Sequence, residues 1–337
     1  MSPDDNRVIC IGGATVDRKY RTRETVRLGT SNPVTSERSF GGVARNVAET
    51  ITRLGTPSTL VTILGEDENG RAIRDDLVRL GIDTRHVAVS RDHATAEYVA
   101  ILDPDGELVL GLADMAILDG LTPSLLHETL HETLHETLHE TLHGTWPALS
   151  AAVLNSWIFA DCNLPSPTLH ALLDLAQRHS RMLAVDAVSA LKVMRLPRDL
   201  AGVGILFLNL DEARAFLGEP DATPREIAVA LRACGAARVV LTLGEGGVLT
   251  IDSTGLASVA PVPARIVDAT GAGDALIAAT LVALRAGRSL ADSVRTGTVA
   301  AALTLESPHS VRPDLSPALL ESALARSVHR KPEGEIP

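Results

Sequence analysis

The chain should fold as an α/β protein, a mainly parallel sheet covered by helices on both faces. Three observations lead there. Short apolar runs alternate with stretches in which apolar residues recur at helical spacing. Several of these units are punctuated by glycine, as buried strands feeding helices are. The 337 residues are 45% hydrophobic but only 2% aromatic, which supplies a large core built from aliphatic side chains.

In chain order, Val8 to Ile11 is an apolar run ending at Gly12-Gly13, as a buried first strand would be. Val43, Val47, Ile51 and Leu54 then mark a helix, with Gly55 placed for its C-terminal cap. Leu60 to Leu64 is a further strand. It leads through Gly65-Glu66-Asp67-Glu68-Asn69-Gly70 to a helix of Ile73, Leu77 and Leu80, stopped by Gly81. The alternation returns at Val153 to Ala160, Met182 to Val185, Ile205 to Leu208 and Val239 to Leu243. Parallel strands buried on both faces read as such continuous apolar runs.

Two stretches break the rhythm. Lys19 to Phe40 is polar, with Gly29 and Asn32-Pro33, and Glu97 to Leu112 reads as a hairpin around Asp103-Pro104-Asp105-Gly106. Interleaved with the α/β units, they are expected to form one small β-lid, from about residues 18–40 and 95–113, that excludes water from a site beneath it. Strands too few to bury their own apolar face gain from a second copy, so a homodimer through the lid is expected. His127 to Gly144 repeats HETL almost perfectly. Glu and Leu favour helix and leucines four apart support one another, so residues 127–143 should extend a helix outward; their histidine spacing follows from the repeat and requires no metal.

The chemistry is concentrated near the C-terminus, where Asp268-Ala269-Thr270-Gly271-Ala272-Gly273-Asp274 runs into the helical pattern of Leu276, Ile277, Thr280, Leu281 and Leu284. Gly271, Ala272 and Gly273 leave backbone N–H groups uncovered at a helix N-terminus, which attracts an anion. A carboxylate beside that anion repels it if binding is the only task. Asp274 therefore suits the proton acceptor of a phosphoryl transfer.

A net charge of −11 argues against general affinity for nucleic-acid backbones or anionic membranes. Cys10, Cys162 and Cys234 lack CxxC spacing and suit a reducing cytoplasm. No apolar run approaches the roughly 18 residues of a membrane span, so a soluble cytoplasmic protein is expected.

The pairing of Gly41-Gly42-x-x-x-Asn46 with Asp268-x-Thr270-Gly271-Ala272-Gly273-Asp274 resembles the two signatures of the ribokinase-like (PfkB) family of sugar and nucleoside kinases. Asp17, Gly65-x-Asp67-x-x-Gly70, Asn209-x-x-Glu212 and Thr242-Leu243-Gly244-x-x-Gly247 agree in order. The resemblance covers roughly residues 7–325 outside the HETL repeat. It implies one ribokinase-like kinase domain over residues 1–337, Asp274 as base, and a Gly271-Ala272-Gly273 anion hole. Asp17, Gly41, Gly42 and Asn46 would hold ribose hydroxyls; Thr242, Gly244 and Gly247 would bind ATP. Asn209 and Glu212 would organise Mg2+ and phosphate, Glu212 holding the metal largely through water. Asp268 and Thr270 would contribute to a monovalent-cation site such as one for K+. Ala269 stands where many relatives carry a hydroxyl, which removes one hydrogen bond and leaves the backbone cradle intact.

Several stretches, SNPVTSERSFGGVARNVAETITRLG, GELVLGLADMAIL, Asp161-x-Asn163-Leu164, VDAVSALK and LNLDEA, further resemble the branch of that family that phosphorylates free pseudouridine. Asn32, Tyr98, Asp114, Met115 and Asn163 are then candidates for the base pocket, and Lys192 for the transferred phosphate. A core Met115, a solvent-facing Asn32 and a helix-capping Lys192 are equally consistent with the residues alone. Alternatives are a kinase of ribose, another furanose or another nucleoside, and a silent nucleoside-binding regulator, which need not keep Asp274 and its cradle. A dinucleotide-dependent dehydrogenase is disfavoured because the first strand leads to Gly12-Gly13-Ala14-Thr15-Val16-Asp17, not to GxGxxG.

Overall fold

The computed structural model describes residues 7–126 and 157–328. The HETL repeat and the first residues of the run beginning at Val153 lie outside the described residues.

Nine strands form the main sheet. These are β1 (Val8–Ile11), β4 (Ser58–Gly65), β5 (Val87–Ser90), β8 (Trp157–Asp161), β9 (Leu183–Asp186), β10 (Ile205–Asn209), β11 (Val239–Thr242), β12 (Val248–Asp252) and β13 (Gly255–Val259). Their spatial order is β13-β12-β11-β10-β9-β8-β1-β4-β5. From β5 through β11 every neighbouring pair is parallel; β12 and β13 close one edge antiparallel. That edge hairpin is absent from the sequence reading, which stopped at Leu243.

Alternate residues of the central strands enter two separate cores. Ile9, Ile11, Val61, Ile158, Val185, Leu206 and Leu241 face one, joined by α3 (Ser166–Arg178), α4 (Leu210–Leu217) and α5 (Pro224–Ala233). Val8, Cys10, Leu60, Phe159, Ala184, Phe207 and Val240 face the other, joined by α1 (Val43–Arg53), α2 (Glu68–Arg79), α6 (Ala272–Arg285) and α7 (Leu290–Leu305). The period of two explains why these strands lack polar alternation: both faces are covered. The last helix, α8 (Pro317–Val328), packs outside α6 and α7 through Leu320 and Ala323, with Leu315 just before it in the same cluster.

The interrupting stretches meet in a second sheet of β2 (Thr15–Thr22), β3 (Val34–Gly41), β6 (Glu97–Leu102) and β7 (Leu108–Asp114), ordered β3-β2-β6-β7. Half of the polar run Lys19 to Phe40 is thus strand, the ends of it forming β2 and β3 and the middle a loop. Along β7, Leu108, Leu110 and Leu112 remain about half exposed.

Strand order reverses at β1, flanked by β4 on one side and β8 on the other. In open α/β sheets ligands bind beyond the carboxyl ends of the strands at such a point. Gly12, Asp161, Asp186, Asn209 and Thr242 all lie at those ends.

Candidate active site

Helix starts distinguish structural from available donors. Asp67 caps α2 by accepting from Gly70 at 2.7 Å, and Asn209 and Thr223 form capping boxes with Glu212 and Glu226 on α4 and α5. By contrast α1 and α6 begin at Gly42 and Gly271 with no side-chain cap of their own. The donors of α1 are supplied from elsewhere: Ala44 N–H donates to Asp161 Oδ2 at 3.0 Å and Arg45 N–H to the Gly13 carbonyl at 3.2 Å. At α6, Ala272 N–H makes a long bond to the Ala269 carbonyl at 3.4 Å and Ala275 N–H reaches the Gly271 carbonyl at 2.9 Å, and between them lies the positive end of a 14-residue helix.

Two glycines are required sterically. Gly271 sits at φ 81°, where a Cβ would overlap the Ser310 carbonyl, and Gly42 at φ 95°, where a Cβ would overlap the Gly13 carbonyl. At Gly273 a Cβ would meet no protein atom within 4 Å. Protein packing does not demand glycine there, and the open space suits an approaching anion.

Asp274 occupies the first turn of α6 and accepts from Asn46 Nδ2 at 2.8 Å. Asn46 is 4% exposed, and its Oδ1 accepts from Arg45 Nη1 at 3.2 Å. That second bond fixes the amide orientation, so its NH2 faces Asp274. Arg45 is itself held by Asp76 at 2.6 Å, Glu49 at 2.9 Å and the Phe40 carbonyl at 3.2 Å. Burial pushes Asp274 up to about 7; the Asn46 hydrogen bond opposes this, while the charges of Asp161 and Asp17 reinforce it. A carboxylate poised near neutrality is suited to take a proton.

Asp17, on β2, accepts from Thr15 Oγ1 at 2.8 Å and leaves Gly41 no room for a side chain. It is also raised by burial, with the Thr15 hydrogen bond, Arg45 and Lys19 pulling the other way. Tyr98 lies beside Asp17 in the β2–β6 register, and its ring hydroxyl crosses over Gly111. Asn163 is buried against Gly13 and accepts from Lys192 Nζ, whose own proton affinity is lowered by burial.

Other sequence candidates fall differently. The side chain of Asn32 braces its own loop, accepting from Arg27 N–H at 2.9 Å and donating to the carbonyls of Arg27 at 2.9 Å and Thr30 at 3.1 Å. Met115 packs on the core and Asp114 is exposed at the end of β7. Asn209 and Glu212 are neighbours at the end of β10, where Glu212 Oε2 accepts from Asn209 N–H at 2.8 Å. Asn209 pairs in register with Thr242, after which Gly244 and Gly247 shape the turn into β12. Asp268 is occupied on both oxygens: Oδ2 pairs with the Lys19 ammonium, and Oδ1 accepts from Thr270 N–H at 2.8 Å. A potassium ion on this carboxylate would compete with the Lys19 ammonium for the same negative charge.

Sequence reasoning passed over Asp161 and Asp186 as site residues. Asp161 is fully buried and accepts from Gly13 at 2.9 Å, Ala44 at 3.0 Å and Asn163 at 2.9 Å. Asp186, its register partner on β9, is pushed well above the usual carboxylate range by burial and by the charges of Asp274, Glu212 and Asp161. The available signal was a carboxylate ending an apolar run at a strand's carboxyl end. The chain bends soon after each of them, through the Asn163 turn after Asp161 and at Val188, with φ 65°, after Asp186.

Residues 5–316 match the pfkB family of carbohydrate kinases. The pseudouridine kinase of Escherichia coli K12 is 27% identical over 92% of this chain and 93% of its own length. A carbohydrate kinase from Agrobacterium tumefaciens superposes with a TM-score of 0.78, at 29% identity over 95% of this chain and 97% of that one. Ribokinase from Thermotoga maritima superposes with a TM-score of 0.79, at 20% identity over 95% and 99%, which shows the ribokinase-like fold. Among the described residues no helix is long and apolar enough to cross a membrane. With a carboxylate of raised proton affinity on the first turn of a glycine-started helix, and with this match along nearly its whole length, the chain belongs to the pfkB family of carbohydrate kinases and is a phosphotransferase acting on a hydroxyl group.

Proposed function

We propose that the chain transfers the terminal phosphoryl group of ATP to the 5′-hydroxyl of free pseudouridine. The observation that carries the phosphotransfer reading is the pairing of Asn46 with Asp274 at the uncapped start of α6. Asp274 accepts the hydroxyl proton as that oxygen attacks the γ-phosphorus, and the bond to ADP breaks as the new P–O bond forms. Backbone N–H groups of Gly271, Ala272 and Gly273 meet the charge on the transferring oxygens. Asp17 and Asn46, with the close backbone of Gly41 and Gly42, orient the ribose. The turn at Thr242, Gly244 and Gly247 receives the nucleotide. Magnesium, when bound, would neutralise phosphate charge, and the buried Glu212, whose charge Asp186 feels, would hold it through water. A cytoplasmic setting, where ATP is made, accords with three free cysteines.

The pseudouridine assignment is supported by the likeness to the Escherichia coli pseudouridine kinase along both chains. Pseudouridine presents a ring N–H that uridine lacks, and a polar lining of Asn163, Lys192 and Tyr98 can select for it. Assayed across pseudouridine, uridine, cytidine, adenosine, ribose and fructose with ATP, pseudouridine should give the highest kcat/KM, about tenfold or more above uridine. A higher value for ribose or another nucleoside would move the substrate while leaving the kinase chemistry in place.

We further propose that the small sheet acts as a lid and as a dimer interface. Its β7 strand exposes Leu108, Leu110 and Leu112, and Val99 and Ile101 of β6 are register partners of Leu112 and Leu110. A second copy would cover this apolar face. Light scattering at micromolar concentration should give twice the chain mass, and Leu110→Lys with Leu112→Lys should give the monomer.

A further inference from the structure

Where the family resemblance implies a monovalent metal ion, this chain supplies a cation of its own. Lys19 and Asp268 are 249 residues apart in sequence, yet their side chains form an ion pair in which they are 24% and 22% exposed. Thr270 N–H donates to the other oxygen of the same carboxylate at 2.8 Å. Its charge is therefore already compensated. A metal ion gains at this carboxylate only what it takes from the ammonium.

Lys19 stands two residues beyond Asp17 on β2, so both project from one face of the small sheet. The same ammonium lowers Asp17, and Asp17 in turn contributes to the raised proton affinity of Asp274. On the other side, Asp268 lies in the loop that enters the Gly271 turn and braces it through Thr270. One side chain thus links the strand that carries Asp17 to the loop that leads to Asp274.

We propose that the Lys19 ammonium replaces a monovalent metal ion at Asp268 and latches the small sheet to the loop carrying the anion cradle, so that phosphoryl transfer needs no added monovalent cation. Ammonium and K+ carry equal charge, but the ammonium is tethered to a strand and positions that strand as it binds. Lys19 is a positioning residue: it touches Asp268, not the reacting atoms. The inference rests on the phosphotransferase reading of the site and is independent of which hydroxyl substrate is used.

The test compares the full-length chain with Lys19→Met and Lys19→Arg at constant ionic strength in KCl, NaCl and tetramethylammonium chloride. Wild-type kcat/KM should be the same in all three salts. Lys19→Met should lose about fivefold, mostly through KM for the hydroxyl substrate, and regain it in KCl but not in tetramethylammonium chloride. Lys19→Arg should keep most of the activity in every salt. A readout without substrate accompanies it: amide hydrogen exchange across β2 should be about fivefold faster in Lys19→Met than in wild type, and slowed again by KCl. Strong stimulation of the wild type by KCl, or a Lys19→Met variant unchanged in both kinetics and exchange, would overturn the proposal. Faster exchange in a chain that phosphorylates none of the hydroxyl substrates would keep the latch and sink the kinase assignment instead.

Discussion

Replacing Asp274 by Asn should lower kcat by roughly 10²-fold to 10⁴-fold while leaving the Kd of the hydroxyl substrate within a few-fold. The amide preserves size and can still meet Asn46, so the loss isolates proton acceptance from packing. The pH dependence provides a second check. Because Asp274 is pushed up to about 7, the wild-type kcat/KM should rise with pH and level off above about 7, a limb the Asn variant lacks. Stability should run the other way. The folded state holds this proton more tightly than the unfolded chain, whose carboxyl titrates near its ordinary 3.8. The favourable contribution is complete below that value and is lost as pH rises through about 7. An amide at this position does not titrate, so the variant has no such dependence. At about pH 8 the variant should therefore melt above the wild type, and the gap should close toward about pH 4. A variant with near-normal turnover, or one less stable than wild type at alkaline pH, would remove Asp274 from the role of base.

Much of this arrangement was legible in the sequence because its parts are local. The Gly271 turn, Asp274 and the first turn of α6 lie within a few residues, and backbone donors at a helix start need no distant partner to be recognised. The central strands were legible for a similar reason, since burial on both faces leaves continuous apolar runs. The small sheet was harder. β2 and β3 are polar, and β2 is paired with β6, which follows it by about eighty residues, so no hairpin signal joins them. The same limit hid Lys19, whose partner Asp268 lies across the fold, and Arg45, whose value depends on Asp76 and Phe40. Asn209-x-x-Glu212 shows the reverse difficulty: the motif was visible, but its spacing is also that of a capping box, and the structure uses it as one. The capping does not oppose a metal role, because only one carboxylate oxygen of Glu212 is engaged by the Asn209 backbone. Spacing alone could not separate the two uses.

Asp161 is the residue whose removal should damage the site most without touching a reacting atom. Its carboxylate accepts three backbone N–H groups from three separate segments: Gly13 after β1, Ala44 at the start of α1, and Asn163 in its own turn. The second of these carries Asn46 to Asp274, and Gly42 packs on the Gly13 backbone of the first. No side chain on α1 caps that helix, so nothing local replaces Asp161 if it is lost. Asp161→Ala would leave buried donors unpaired and a space beside Gly12, whose missing Cβ would otherwise overlap this carboxylate. The expected cost is about 3 kcal/mol or more, read as a lowered urea midpoint at unchanged slope. Asp161→Asn keeps the volume but turns one acceptor into an NH2 donor, which faces at least one of the same N–H groups. It should therefore also destabilise, by about 1–3 kcal/mol. The Asn variant carries the sharper test because it removes a charge that raises Asp274. Its kcat/KM limb should move below the wild-type value near 7, at a lower plateau. Loss of stability with an unmoved limb would make Asp161 a structural pin only. An unchanged urea midpoint would show that the three hydrogen bonds do not hold the site together.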